Sequence, residues 1–414
     1  VADTEAGVVI VGAGYAAGEL AIRLRQNGYA HPVTIIGTEP HLPYHRPPLS
    51  KAFLAGEAAH DTLPLRPAEM YEKLGITVRG GQTVTGIDRP ARTVALRSGE
   101  IVPYGILALA TGGEARRLTC PGADLRGVHT LRTLDDSLAI GAELRPGRRI
   151  VIIGGGYIGL EVAAIAIKRG AVVTVVEAAP RVLARVAGAE LAAFYAAAHT
   201  EAGVTIHTGT TCQALLPAAD APERVAAVQL GDGTLLPADA VIAGVGLRPH
   251  TELAEAAGLK VENGIWVDAT CRTEDPHIFA LGDCANQPHA LLGRRVRLES
   301  VPNALEQARV AADIICGKPA PKTDVPWFWS DQYDLKLQSA GLSEGHDTTI
   351  LRGDMAGRAF LLFYLREGTV IAVDAVNRTG EFMVAKRLVG ARAQPDPQLL
   401  ADTAVALKTL YQRL

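Results

Sequence analysis

The chain has 414 residues, 48% of them hydrophobic, enough for two or three domains that each bury a core. Lys and Arg total 41 against 44 Asp and Glu, a formal net charge of -3. That balance argues against nucleic-acid binding and against a polybasic membrane anchor.

Val1-Ala2-Asp3-Thr4-Glu5 carries no basic region or small-residue cleavage site ahead of the first apolar run. Secretion is therefore not expected, and the expected location is cytoplasmic. Val8 to Val11 is a β-branched run that meets Gly12-Ala13-Gly14-Tyr15-Ala16-Ala17. The pattern predicts a strand buried on both faces, a tight glycine turn and a helix, with helical composition over residues 19–26. A second parallel strand is expected over Val33–Ile36, followed by Gly37-Thr38-Glu39. Next comes Pro43-Tyr44-His45-Arg46-Pro47-Pro48-Leu49-Ser50-Lys51. Alone it reads as a rigid loop with surface charges; beside a dinucleotide fold it reads as a preorganised clamp offering Arg46 and Lys51. A later buried strand is expected over residues 106–110, ending in Thr111-Gly112-Gly113.

Residues 150–159 repeat the first motif: Ile150-Val151-Ile152-Ile153-Gly154-Gly155-Gly156-Tyr157-Ile158-Gly159. Residues 150–167 are apolar enough to suggest a membrane span, but three consecutive glycines and Glu161 argue against one. Helical composition over 161–168 and strands over 172–176 and 240–245 complete a second α/β half. One G-x-G-x-x-G is weak evidence; two, each between strand and helix, point to two dinucleotide sites. The glycines allow a tight turn and let pyrophosphate approach a helix N-terminus, where free N–H groups and the dipole favour anions. Ala17 replaces the third glycine of the first copy. Glu177 ends the second strand of the second copy, where a carboxylate accepts the ribose hydroxyls and repels a 2′-phosphate, favouring NADH over NADPH. Glu39 is the corresponding candidate in the first.

Pro276-His277-Ile278-Phe279-Ala280-Leu281-Gly282-Asp283 reads as a strand ending in Gly-Asp. Asp283 could accept cofactor ribityl hydroxyls or serve as a turn residue. Glu299-Ser300-Val301-Pro302-Asn303 precedes an expected helix over 304–315, whose N-terminal amides could face a flavin ring. Past Pro319-Ala320-Pro321, aromatics gather at Trp327, Phe328, Trp329 and Tyr333, and alternating segments over 348–352, 359–365 and 369–376 predict antiparallel strands. A helical tail follows. Cys120, Cys212, Cys271, Cys284 and Cys316 show no C-x-x-C spacing, so scattered thiols in a reducing compartment and no metal site are expected.

Together these motifs resemble the FAD/NAD-linked disulfide-reductase superfold, and more narrowly the ferredoxin reductases of the putidaredoxin-reductase type that serve cytochromes P450 and aromatic-ring dioxygenases. The matching segments are P-Y-H-R-P-P-L-S-K, A-T-G at Ala110 to Gly112, L-R-T-L-D-D from Leu131, G-G-G-Y-I-G-L-E-V-A from Gly154, I-F-A-L-G-D, E-S-V-P-N-A and P-W-F-W-S-D-Q-Y from Pro326. The resemblance covers essentially the whole chain.

It implies an α/β fold with two Rossmann-like, glutathione-reductase-like domains: FAD over 1–112 and 248–323, NAD over 113–247. A smaller α+β C-terminal domain spans 324–414. The implied FAD contacts are Gly12, Gly14, Ala16, Glu39, Arg46, Lys51, Val84, Thr111, Arg132, Asp283 and Val301; Thr38 stands where several members carry Asp. The implied NAD contacts are Gly154, Gly156, Tyr157, Ile158, Glu161, Glu177, Arg185 and Gly246. Lys51 and Glu161 are implied beside flavin N5, and Trp329 over the flavin side of the active site. The implied reaction is hydride transfer from NADH to FAD, then single electrons to a [2Fe-2S] ferredoxin docking near Arg309, Lys386, Arg387 and Arg392. Rubredoxin reductase, monodehydroascorbate reductase and a redox-sensing protein like apoptosis-inducing factor are the competing readings.

Overall fold

The computed structural model describes residues 6–320 and 323–411. Residues 1–5, on which the reading of the chain start rests, and Pro321 lie outside the described residues. The chain forms two compact units: Val1–His45, Asp61–Glu114 and Arg248–Pro326 in the first, and Arg46–His60, Ala115–Leu247 and Trp327–Leu414 in the second.

In the first unit Val8–Val11 lies between Val33–Ile36 and Ile106–Leu109, with Ile76–Arg79 and Ile278–Ala280 outside them, all parallel. The continuous apolar run has a direct cause. Val8 and Ile10 enter one core with Leu20, Ala21 and Leu24 of helix Tyr15–Gln26 and Ala308, Ala311 and Ala312 of helix Val301–Ile315. Val9 and Val11 enter another, on the opposite face, with Val94, Leu96, Leu107 and Leu109. Alternating side chains thus meet apolar cover on both sides, so no polar position is tolerated. Part of that second cover is an antiparallel meander, Val84–Asp88, Thr93–Leu96 and Ile101–Pro103.

The second unit repeats the plan. Arg149–Ile153 pairs in parallel with Val172–Glu177 and Ala240–Ala243, flanked by Thr205–Thr208 and Val128–Thr130. Its meander is Cys212–Pro217, Val225–Leu230 and Leu235–Pro237. The internal echo therefore extends from the glycine motif to a whole module of strand, helix, two strands, meander and returning strand. The apolar stretch 150–167 splits into strand Arg149–Ile153 and helix Tyr157–Lys168. Among the described residues no helix is long and apolar enough to cross a membrane.

The C-terminal part of this unit is an antiparallel sheet in the order Trp327–Gln332, Leu335–Gly341, Thr369–Val376, Ala359–Arg366, Thr348–Asp354. Helix Thr379–Gly390 turns Phe382, Ala385, Leu388 and Val389 inward. Short helices Pro397–Ala401 and Leu407–Tyr411 follow. This is the α+β element expected from the alternating segments.

Candidate functional site

The two glycine turns are built alike. Gly12 and Gly154 hold φ of +110° and +109°, and a Cβ would stand 2.1 Å from the Ala110 carbonyl oxygen and 2.4 Å from that of Gly244. Only glycine permits that approach between neighbouring strand ends. Gly14 and Gly156 are the N-caps of helices Tyr15–Gln26 and Tyr157–Lys168. Neither helix has a side-chain cap or an acidic residue in its first turn. A Cβ on Gly14 or Gly156 would meet no protein atom within 4 Å. Each helix thus presents uncapped N–H groups to open space, which fits a dinucleotide pyrophosphate. At the third position Ala17 is fully buried, whereas a Cβ on Gly159 would stand 2.2 Å from the Gly154 oxygen. Ala16 is buried, and Ile158, in the first turn of the second helix, is exposed. Tyr157 directs its ring at Phe328, with centroids 4.8 Å apart, which leaves its backbone amide as the group facing the turn.

The carboxylates behind the turns are held in place. Glu177 accepts from the Gly155 amide at 2.7 Å and the Ala179 amide at 2.8 Å, so the acid is fixed against the second glycine loop. Tyr44 donates to Glu39 Oε2 at 2.6 Å. Thr111 follows the strand under Gly12 and donates to the His250 carbonyl at 2.8 Å. Asp283 sits in the 3-10 turn Gly282–Cys284, tied to helix Val301–Ile315 by the Gly282 amide donating to Gln307 Oε1 at 2.6 Å. Val301 opens that helix, capped by Ser300. Val84 is a buried strand residue. Arg46 donates to the Arg132 carbonyl at 2.6 Å. Gly246, with φ of +106°, lies against the Arg185 guanidinium, 3.8 Å from where a Cβ would stand.

Lys51 and Glu161 meet. Lys51 Nζ lies 2.6 Å from Glu161 Oε2, with side-chain exposures of 17% and 5%. Both belong to the second compact unit, which also holds Arg46 and Arg132. Gly12, Gly14, Ala16, Glu39, Val84, Thr111, Asp283 and Val301 belong to the first. Ser50 donates to Glu161 Oε2 at 2.5 Å and Ser330 to Oε1 at 2.6 Å. Behind Ser330 the contacts continue: Gln332 Nε2 donates to Ser330 Oγ at 3.1 Å, and Gln332 Oε1 lies 2.8 Å from His199 Nε2. His199 Nδ1 lies 2.8 Å from the Tyr333 hydroxyl. Ser330, Gln332 and His199 are buried. Burial lowers the His199 pKa, partly offset by the bond to Gln332.

Reading the residues one by one missed Ser50, Ser330, Gln332, His199 and Tyr333. The period of two along Trp327–Gln332 predicts Trp327 and Trp329 on one face and Phe328 on the other, and carrying it two positions further would have added Ser330 and Gln332 to the Phe328 face. That arrangement is observed: the Trp327 and Trp329 rings are 5.8 Å apart, and Phe328 and Ser330 reach the helix carrying Glu161. His199 gives no such signal.

Two expectations are corrected. Lys386 is not a surface cation: it is 8% exposed, with Nζ 5.6 Å from the Trp327 ring centroid, because its position on helix Thr379–Gly390 faces the sheet. Its neighbour Arg387 is exposed, as are Arg392 and, in part, Arg309. The cysteines are also not all scattered, since Cys120 and Cys212 approach to 3.7 Å between sulfurs.

The chain is similar to known proteins over nearly its whole length. Residues 6–308 match the pyridine nucleotide-disulphide oxidoreductase family, and residues 327–411 match the reductase C-terminal family. Putidaredoxin reductase from Pseudomonas putida is 47% identical over 406 residues, covering 97% of this chain and 96% of that protein. A ferredoxin–NAD(P)+ reductase from a Sphingomonas species is 47% identical, covering 95% of each. The crystal structure of a covalent putidaredoxin reductase–putidaredoxin complex superposes with a TM-score of 0.95 at 47% identity, covering 98% of each chain. The chain therefore belongs to the pyridine nucleotide-disulphide oxidoreductase family and also carries a reductase C-terminal domain.

Proposed function

We propose that this chain is the FAD-dependent NADH:ferredoxin reductase of an oxygenase system, passing electrons one at a time to a [2Fe-2S] ferredoxin that serves a cytochrome P450 or an aromatic-ring dioxygenase. The observation that carries the reading is the Lys51–Glu161 pair, held by two serines in a chain that also has two uncapped glycine-turn helices. The full-length likeness to ferredoxin reductases supports the acceptor. FAD, when bound, supplies the conversion from a two-electron donor to a one-electron acceptor.

The residues have distinct tasks in this reading. The amides at Gly14 and Ala16 hold the FAD pyrophosphate; Glu39, Val84 and Thr111 hold its adenosine side and flanks. Arg46, Arg132, Asp283 and Val301 orient the ribityl and ring portions. Gly154, Gly156, Tyr157 and Ile158 hold the NADH pyrophosphate by backbone contacts, with Arg185 and Gly246 alongside. Glu177 selects NADH by refusing a 2′-phosphate. Lys51 stabilises negative charge beside the reacting ring, and Glu161 fixes Lys51. Trp329 covers the flavin side. The domain division follows: FAD over 1–112 and 248–323, NAD over 113–247, and an α+β domain over 324–414. Cytoplasmic location belongs to the same reading.

The test is anaerobic mixing of the FAD-loaded protein with NADH, followed by turnover with a [2Fe-2S] ferredoxin, a rubredoxin or monodehydroascorbate. Rapid flavin bleaching and turnover fastest with the ferredoxin are expected. Preferred turnover of either other acceptor would overturn the reading.

A further inference from the structure

Cys120 and Cys212 are 92 residues apart in sequence, yet their sulfurs are 3.7 Å apart. The backbones around them are clamped. Leu215 donates its amide to the Pro121 carbonyl at 2.8 Å, and a Cβ on Gly122 would stand 2.1 Å from the Leu215 oxygen. Gly122 has φ of +81°, so the close approach and the backbone conformation both select glycine. The neighbouring chain segments are therefore fixed together independently of the two thiols. A disulfide bond is about 2.05 Å long. Small side-chain rotations can supply the difference in sulfur position, provided the bond angles are also met.

Both thiols are half-buried, as is Cys316, whereas Cys271 and Cys284 are buried. We propose that Cys120 and Cys212 form an oxidisable dithiol site, closed to a disulfide by hydrogen peroxide. This assignment does not depend on the electron acceptor or on the roles given to Lys51 and Glu161.

The chemistry balances in two steps. The sulfur of Cys120 attacks one peroxide oxygen; the O–O bond breaks, water leaves with the thiol proton, and a sulfenic acid forms. The Cys212 sulfur then attacks the sulfenic sulfur; the S–O bond breaks, and a second water leaves with the Cys212 proton. Two thiols lose two electrons, and one peroxide becomes two waters. Burial, with Cys120 adding in the same direction, pushes the Cys212 thiol up to about 12. The same balance holds if Cys212 is oxidised first and Cys120 resolves it. The bond would join the segment at Cys120 to the meander strand Cys212–Pro217 and constrain the unfolded chain.

The full-length protein as purified should be reduced, freed of reductant and exposed to excess hydrogen peroxide. Remaining thiols are then alkylated, and peptides are mapped without reduction. The expected product is a Cys120–Cys212 linked peptide, with titratable thiols under denaturing conditions falling from five to three. Dithiothreitol should reverse both changes and any rise in Tm. Cys120→Ser and Cys212→Ser should each abolish the linked peptide. Recovery of both cysteines as alkylated thiols, or as sulfinic acids with no linked peptide, would overturn the assignment. Mapping the unsubstituted protein keeps the test decisive even if a serine variant folds poorly.

Discussion

A carboxylate whose side chain is only 5% exposed needs donors close by, and Glu161 has three: Lys51, Ser50 and Ser330. Removing the cation leaves a buried acceptor short of compensation, a loss that in fully buried pairs costs about 3–5 kcal/mol; Lys51 is partly exposed, so less is expected. Lys51→Met should lower Tm and slow flavin reduction by NADH on the order of 100-fold, with FAD still bound. Stopped-flow bleaching at an unchanged rate would remove Lys51 from the reaction. Ser330→Ala deprives Glu161 of one donor and the Gln332 amide of its acceptor, at about 1–3 kcal/mol for an unsatisfied buried group. Its unfolding midpoint should fall, and Ser330→Thr should recover most of the loss; equal stability in all three proteins would show that water replaces the hydroxyl without cost. Glu177 already bonds to two loop amides, so its replacement loosens the loop as well as the ribose site. Glu177→Ala with a neighbouring Arg should raise kcat/KM for NADPH relative to NADH. A wild-type protein that uses both equally well would sink the selection argument.

Elements differed in how plainly the sequence announced them, for a physical reason. Val8–Val11, Val33–Ile36 and Ile106–Leu109 are covered on both faces, so their runs are almost wholly apolar and were legible. The meanders Val84–Asp88 to Ile101–Pro103 and Cys212–Pro217 to Leu235–Pro237 mix buried and exposed positions over short strands, and no stretch of them stands out. The same contrast holds for the site. Glycine turns and strand-end acids are local features, whereas Ser50 and Ser330 reach Glu161 across 111 and 169 residues. Helix Thr379–Gly390 shows how adjacent cations part company: Lys386 faces inward and Arg387 outward. Arg387→Glu should raise the apparent KM for ferredoxin and flatten its salt dependence, while ferricyanide reduction changes little. Lys386→Glu should instead lower Tm, because it buries a carboxylate beneath Trp327. Equal losses with ferredoxin and ferricyanide in the Arg387 variant would place that residue outside partner binding.

At the scale of the whole molecule, one buried acid ties stability to pH. Burial raises Asp374 to about 6 from 3.8, against the opposing bonds from Ser339 and Tyr364. A raised carboxylate favours the protonated folded state, so its contribution is full below the unfolded value and is lost as pH rises through the folded one. The change across that window is about 3 kcal/mol. Relative to wild type, Asp374→Asn should therefore gain about that much stability between pH 4 and pH 7, read from urea midpoints. A pH-independent difference would exclude Asp374 as the titrating group. The contacts running from Tyr333 to Glu161 carry a different kind of consequence. With the Gln332 amide nitrogen committed to Ser330, its oxygen faces His199 Nε2, which must carry the ring proton; Nδ1 then accepts from the phenol. Every hydrogen points inward, toward the carboxylate. The carboxamide in the middle is a poor ferry for protons, so the file works as a row of aligned dipoles: it transmits polarisation from the surface phenol while insulating the interior against proton leakage along that route.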